Sequence, residues 1–173
     1  MVNVSIIVTC EEQQLLLREL LPVLLTQQYN GEYEVIVVDK LHDKDMEEWL
    51  EEMEVHFPHL NHTFCPASSR GIDIQKLALT LGAKSANYEW LVILPVETKL
   101  QDDKWLSVLM SLMDGQAEIV ICPTKRKRRW NWFRSFFRPK FSIFRPTSSV
   151  IICRRRILLE GKNVKLSDCR IIK

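Results

Sequence analysis

The chain has no apolar run of 18 residues, so no membrane-spanning helix is expected. Its start carries no basic stretch, and the first apolar run is too short for a secretory leader. It has no CxxC pair. Cys10, Cys65, Cys122, Cys153 and Cys169 are odd in number and widely spaced. Cys10, Cys122 and Cys153 lie in or beside apolar runs, where a thiol acts as a small buried hydrophobe. This usage favours a reducing, cytoplasmic setting over a disulfide framework. Internal repeats and low-complexity linkers are also absent, which leaves one domain as the expected organisation.

Acidic residues are missing from the whole stretch between Ile119 and Leu159. The net charge of +2 hides this asymmetry. Residues 1–118 hold 20 acidic and 8 basic side chains, a balance of −12, and residues 119–173 hold 2 and 16, a balance of +14. The second part is therefore expected to face an anionic partner or to lie against the acidic part. With 173 residues, 46% of them hydrophobic, the chain is long enough to bury a real core.

What is present is a series of short apolar strands separated by helical patterns. VSIIV at 4–8, EVIVV at 34–38 and WLVIL at 90–94 read as fully buried parallel strands by length and β-branching. Residues 11–28 read as a helix with Leu15, Leu16, Leu20, Leu24 and Leu25 inward, which Pro22 should kink or split. Residues 45–55 form an acidic, solvent-facing helix. A short strand is expected near 61–65, a helix over 72–85 with Ile74, Leu77, Ala78 and Leu81 inward, and a helix capped by Asp102 or Asp103 that runs to about Met113. Residues 118–122 give another strand. The alternation implies βαβ units, a mainly parallel sheet and an α/β fold. Ligands of such sheets sit beyond the carboxyl ends of the strands, here residues 9–12, 39–43, 70–71 and 95–98.

VSIIVTCEE, LLREL, Gln27 and Tyr29, EVIVVDK, Thr80-Leu81-Gly82, YEWLVILPVE, Trp105-Leu106 and AEIV occur in an order and spacing that resemble the family-2 glycosyltransferases. The likeness covers roughly residues 3–122, with SSVIICRRRILLEG at 148–161 as a further match. It implies a single GT-A three-layer sandwich. Residues 1–122 would form the nucleotide-sugar-binding core, and residues 123–173 a basic aromatic extension for acceptor or membrane contact. It also implies sugar transfer from a nucleotide-diphosphate donor to a saccharide or lipid-linked acceptor, as in polysaccharide biosynthesis at the inner membrane face.

The chain departs from that pattern at chemically important places. The family carries an Asp-x-Asp after its third strand to hold Mg²⁺ or Mn²⁺ on the donor phosphates; here Pro95-Val96-Glu97 leaves Glu97 as the metal candidate. Asp39 matches the first carboxylate of the second strand's pair; Lys40 replaces the second, at the position that by the resemblance would hydrogen-bond a uracil, and has no acceptor for it, so that either Asp39 takes the base-binding role, or the nucleotide differs, or none binds. By the same resemblance Thr9, Cys10 and Glu11 line the base pocket through backbone groups, and Arg70 pairs with diphosphate or base. An inverting transfer needs a carboxylate base, for which Asp168 is the candidate. These departures keep a non-catalytic binding or scaffold subunit open as an alternative.

Two further patterns bear on partners. His56, His59, His62 and Cys65 recur every three residues, which invites zinc, but Pro58 precludes a regular helix and a strand would splay odd-spaced residues to opposite faces. A loop and strand is the expected reading. The segment KRKRRWNWFRSFFRPKF, from Lys125 to Phe141, puts Trp130, Trp132, Phe133, Phe136 and Phe137 on one side of a helix and Arg134 and Arg138 on the other. That is the pattern of an interfacial helix on anionic lipid. Cover for the sheet edge and nucleic-acid binding by stacking and phosphate contacts are the alternatives.

Overall fold

A computed structural model describes residues 2–66, 73–100, 102–113, 117–123, 149–160 and 169–171. Arg70, Asp168 and the segment from Lys125 to Phe141 lie outside the described residues. The elements run β1 (Val4–Cys10), α1 (Gln14–Leu25), β2 (Tyr33–Asp39), α2 (Lys44–His56), β3 (Leu60–Phe64), α3 (Ile74–Ser85), β4 (Trp90–Pro95), α4 (Trp105–Ser111), β5 (Ile119–Pro123), β6 (Ser149–Arg154), α5 (Arg155–Glu160) and β7 (Cys169–Ile171).

The seven strands form one sheet in the order β3-β2-β1-β4-β6-β5-β7. β1 pairs in parallel with both β2 and β4, and β2 with β3. β6 is inserted antiparallel between β4 and β5. Strand side chains alternate between faces. Ile6, Val8, Val35, Val37 and Val92 join Leu17, Leu21, Met46, Leu50 and Leu106 of α1, α2 and α4. Ile7, Ile36, Val38, Leu91 and Ile93 join Ala78, Leu79 and Ala83 of α3 and Ile157 and Leu158 of α5. The sheet is covered on both faces, which is why its central strands are continuously apolar. The expected mainly parallel, three-layer α/β sandwich is observed.

Several local expectations need correction. α1 begins at Gln14 and runs through Pro22 without a break. Pro22 is on the exposed face, where water can bond the carbonyl it leaves free, while Leu17, Leu20, Leu21, Leu24 and Leu25 hold both halves on the sheet. Leu15 points outward. α2 is not wholly solvated: Met46 and Leu50 are buried under it. α4 begins at Trp105 with no side-chain cap; Asp102 Oδ1 instead accepts from the Lys104 amide at 3.0 Å, inside the preceding turn. Gln27 is a buried tie between helices. Its Nε2 donates to the carbonyls of Val23 (2.9 Å) and Asp102 (3.0 Å), and its Oε1 accepts from the Leu106 amide (2.8 Å). Among the described residues no helix is long and apolar enough to cross a membrane.

Candidate functional site

The chain runs from β1 leftward to β2 and β3, then returns through α3 to β4 on the other side of β1. The direction of winding therefore reverses between β1 and β4. A crevice opens at such a switch point, outside the carboxyl ends of the strands. Cys10 sits beside Asp39 and Thr9 beside Pro95 in the strand registers. Asp39 and the Glu97 that follows β4 thus lie at one rim, two strand spacings or about 10 Å of sheet apart.

Alternation sends neighbouring rim residues to different jobs. Asp39 shares the α2 face with Val35 and Val37 and is buried. Its Oδ1 accepts from the Leu41 amide at 2.9 Å and its Oδ2 from the Asp43 amide at 2.6 Å. These bonds fix the turn into α2, which Asp43 then caps by accepting from the Met46 amide at 3.0 Å. His42 in that turn has φ 55°, where side chains other than glycine are uncommon, and its ring stacks on Phe64 at 3.6 Å.

Lys40 and Thr9 project to the opposite face, toward the start of α3. Lys40 Nζ donates to Glu11 Oε2 at 2.8 Å and to Gln75 Oε1 at 3.1 Å, and Gln75 Nε2 donates to Thr9 Oγ1 at 3.4 Å. The Lys40 side chain is 12% exposed and that of Glu11 44%. A lysine, a carboxylate, an amide and a hydroxyl from β1, β2 and α3 therefore meet beside the crevice. The structure brings Thr9, Glu11 and Lys40 together; Gln75 is a member that sequence reading missed, because nothing in a helical pattern marks which first-turn residue reaches a strand end.

Cys10 and Cys65 flank this rim but are not poised as nucleophiles. Burial pushes the Cys10 thiol up, and the Asp39 carboxylate adds to the shift. Burial likewise raises Cys65, with Lys40 opposing and Asp39 reinforcing. Both are protonated at neutral pH.

Beyond β4, Glu97 is exposed. Among the described residues it joins no group of three metal-ligating side chains. Pro95 and Val96 offer no side-chain oxygen. Asp39 is engaged by the Leu41 and Asp43 amides and Glu11 by Lys40, and the exposed Glu97 by itself does not provide the several oxygen ligands a divalent ion requires, so the described residues at this rim do not fit a divalent cation. The neighbouring Thr98 Oγ1 is buried without a hydrogen-bond partner, a departure that costs about 1–3 kcal/mol and is rare in folded proteins.

The histidine series does not converge. His56 Nδ1 contacts the Glu52 carbonyl, His59 Nε2 the Leu25 carbonyl, and His62 Nδ1 the Glu54 carboxylate at 2.7 Å. Glu47 and Glu51 of α2 do cluster with His62 of the edge strand β3, and Glu47 also lies 3.4 Å from His42 of the β2–α2 turn. An open depression lined by Gln28, Asn30, Lys104, Ser107, Val108 and Ser111 lies beside the start of β2, at the other end of the sheet.

No protein-family model matches the sequence, and no curated protein matches it. Solved structures do match the fold. S. aureus TarS residues 1–349 superimposes with a TM-score of 0.62 at 18% identity, covering 92% of this chain and 49% of that one. Mannosyltransferase PcManGT from Pyrobaculum calidifontis, solved with GDP-Man and Mn²⁺, gives 0.63 at 21%, covering 92% and 46%. TarS 1–349 with UDP gives 0.60 at 20%, covering 92% and 48%. The chain spans about half the length of these structures. The fold is GT-A-like, that of known glycosyltransferase structures.

Proposed function

We propose that this chain binds a nucleotide-diphosphate sugar in the β1–β4 crevice and takes part in its transfer to a saccharide or lipid-linked acceptor. The observation that carries this reading is the convergence of Thr9, Glu11, Lys40 and Gln75 at the switch-point rim of a GT-A-like sheet. Structures of the same fold hold UDP, UDP-GlcNAc or GDP-Man. The orphaned Thr98 hydroxyl, in the turn that follows β4, supports it as a buried polar group with an unmet bond near that strand's carboxyl end. Glycosyl transfer develops negative charge on the departing diphosphate, and a cation placed there beforehand favours the transition state.

The base for the acceptor hydroxyl is assigned to Asp168, and further donor contact to Arg70. Peripheral contact with anionic membrane through the segment from Lys125 to Phe141 belongs to the same proposal.

A second reading, a binding or scaffold subunit of the same fold, is favoured by the lone Glu97 and by the use of Asp39 in the β2–α2 turn. Both readings predict that UDP or GDP binds the intact chain in isothermal titration, and that added UDP-sugar or GDP-sugar is turned over only under the first. No heat with either nucleotide, at any ionic strength, would remove both.

A further inference from the structure

We propose that Glu47 and Glu51 of α2 and His62 of β3 form a binding site for a zinc-class divalent ion, with Glu54 as the residue that positions His62. The site lies at the outer edge of the sheet and does not depend on the nucleotide-sugar reading.

One ligand atom from each of Glu47, Glu51 and His62 lies within 4.8 Å of the other two. The fold explains why they meet. Glu47, Glu51 and Glu54 stand at i, i+4 and i+7 of α2 and share one stripe of the helix. β3 is the edge strand, and Leu60, His62 and Phe64 share one of its faces. Leu60 packs into the cluster under α2, which brings His62 beneath the stripe.

His62 is set up as a nitrogen ligand. Its Nδ1 contacts Glu54 Oε1 at 2.7 Å. A carboxylate can only accept, so Nδ1 carries the hydrogen, and in the neutral ring Nε2 keeps the lone pair. A carboxylate behind the far ring nitrogen is the usual support of a metal-bound histidine. It fixes the tautomer and raises the basicity of the ligating nitrogen. The His62 side chain is 15% exposed, which leaves it one open side.

A second nitrogen stands alongside. His42 Nε2 is 3.4 Å from Glu47 Oε2, and two ligands on one tetrahedral zinc are about 3.3 Å apart. The His42 ring is held by stacking on Phe64. Glu51 is exposed and is the ligand that turns inward when the ion binds. α2 carries six acidic residues and one lysine, so its field draws a cation. Nitrogen beside carboxylate suits zinc, whereas magnesium and calcium prefer oxygen alone. This set shares only His62 with the histidine series of the sequence. It is three strand spacings from β4, after which Glu97 stands.

The full chain, stripped with chelator and kept reduced by a phosphine because its five cysteines are free, should bind one Zn²⁺ in isothermal titration. Zinc should also raise Tm. Co²⁺ should give the visible bands of nitrogen and oxygen ligands, without the near-ultraviolet bands of cobalt–thiolate bonds. His62→Ala should abolish binding, and Glu51→Gln should weaken it about tenfold or more. Glu54→Ala should cost about tenfold, whereas Glu54→Gln, whose amide oxygen still accepts from Nδ1, should keep most of the affinity. A merely structural Glu54–His62 pair would lower the Tm of metal-free Glu54→Ala and leave the rise with zinc intact. His56→Ala should change nothing.

If His62→Ala fails to fold, the exposed Glu51→Gln decides alone. No binding of Zn²⁺ or Co²⁺, affinity unchanged in Glu51→Gln, thiolate bands in the cobalt spectrum, or Mg²⁺ held as tightly as Zn²⁺ would each overturn the inference.

Discussion

Glu34→Ala is expected to lower stability by about 3 kcal/mol, a fall of about 6–12 °C in Tm for a chain of this size. Glu34 is 4% exposed at the amino end of β2. Its Oε1 accepts from Ser5 Oγ and from the Asn87 amide, both at 2.6 Å, and its Oε2 accepts from Asn87 Nδ2 at 2.7 Å. Ser5 Oγ in turn accepts from the Tyr88 amide at 3.2 Å. One carboxylate thus fastens the α3–β4 turn to the two central strands. A hydrogen bond to an ionised partner contributes about 1.5–3 kcal/mol, and these bonds share one acceptor, so their losses do not add in full. The alanine also strands the Ser5 hydroxyl and the Asn87 amide away from water. Glu34→Gln keeps the shape but sets an NH₂ against donors, and should lose roughly half as much. Thermal or urea unfolding measures both. A Glu34→Ala protein within about 1 kcal/mol of wild type would show that the network contributes little.

Gly82→Val should be as damaging, for a steric reason. A Cβ on Gly82 would stand 2.8 Å from Ile7 Cγ2, 3.2 Å from Val38 Cγ2 and 3.3 Å from Ile7 Cδ1. Ile7 and Val38 are fully buried and have nowhere to retreat. Alanine in a helix interior is ordinarily favoured over glycine by about 1 kcal/mol. Here overpacking, about 1–3 kcal/mol, should outweigh it and give a small net loss for Gly82→Ala. Valine adds two methyls and β-branching, and a loss above about 3 kcal/mol is expected. Displacing α3 also moves Gln75 at its other end, so nucleotide binding should weaken with stability. Ile7→Val in the Gly82→Ala background should restore part of the loss. A Gly82→Ala protein more stable than wild type would contradict this packing.

The parts of the fold that could be read from the chain are those set by local pattern. The buried strands 4–8, 34–38 and 90–94 carry continuous β-branched runs because both sheet faces are covered. Their end residues, Thr9, Asp39 and Pro95, follow directly from where those runs stop. Long-range pairing left no such mark. The insertion of β6 between β4 and β5 depends on hydrogen bonds between residues some 60 positions apart on one side and some 30 on the other. The inward face of α1 was misplaced toward Leu15 and Leu16, where Leu17 and Leu21 are the buried ones, because leucine occupies 15, 16, 17, 20, 21, 24 and 25 and the pattern alone cannot choose among them.

Gln27 and Gly82 matched sequence motifs, and the structure gives each a physical reason: a buried amide bridging α1 and α4, and a helix pressed against β1. At the site, the position of Asp39 was legible but its bonds to the Leu41 and Asp43 amides were not, since they depend on the turn's geometry. The pairing of Lys40 with Glu11 and Gln75 was likewise invisible, as its members come from three separate elements. The histidine periodicity was set aside at the sequence level because Pro58 and strand alternation splay those side chains, and in the fold each ring has its own partner.

The most direct test is an amide chemical-shift map of the isotopically labelled chain on addition of UDP or GDP in EDTA. The account predicts that the largest changes fall on residues 9–11, 39–43, 75 and 96–98, around the carboxyl ends of β1, β2 and β4. Saturable changes confined to the Glu47–Glu51–His62 cluster or to the depression beside Gln28 and Lys104, or no changes at all, would contradict it.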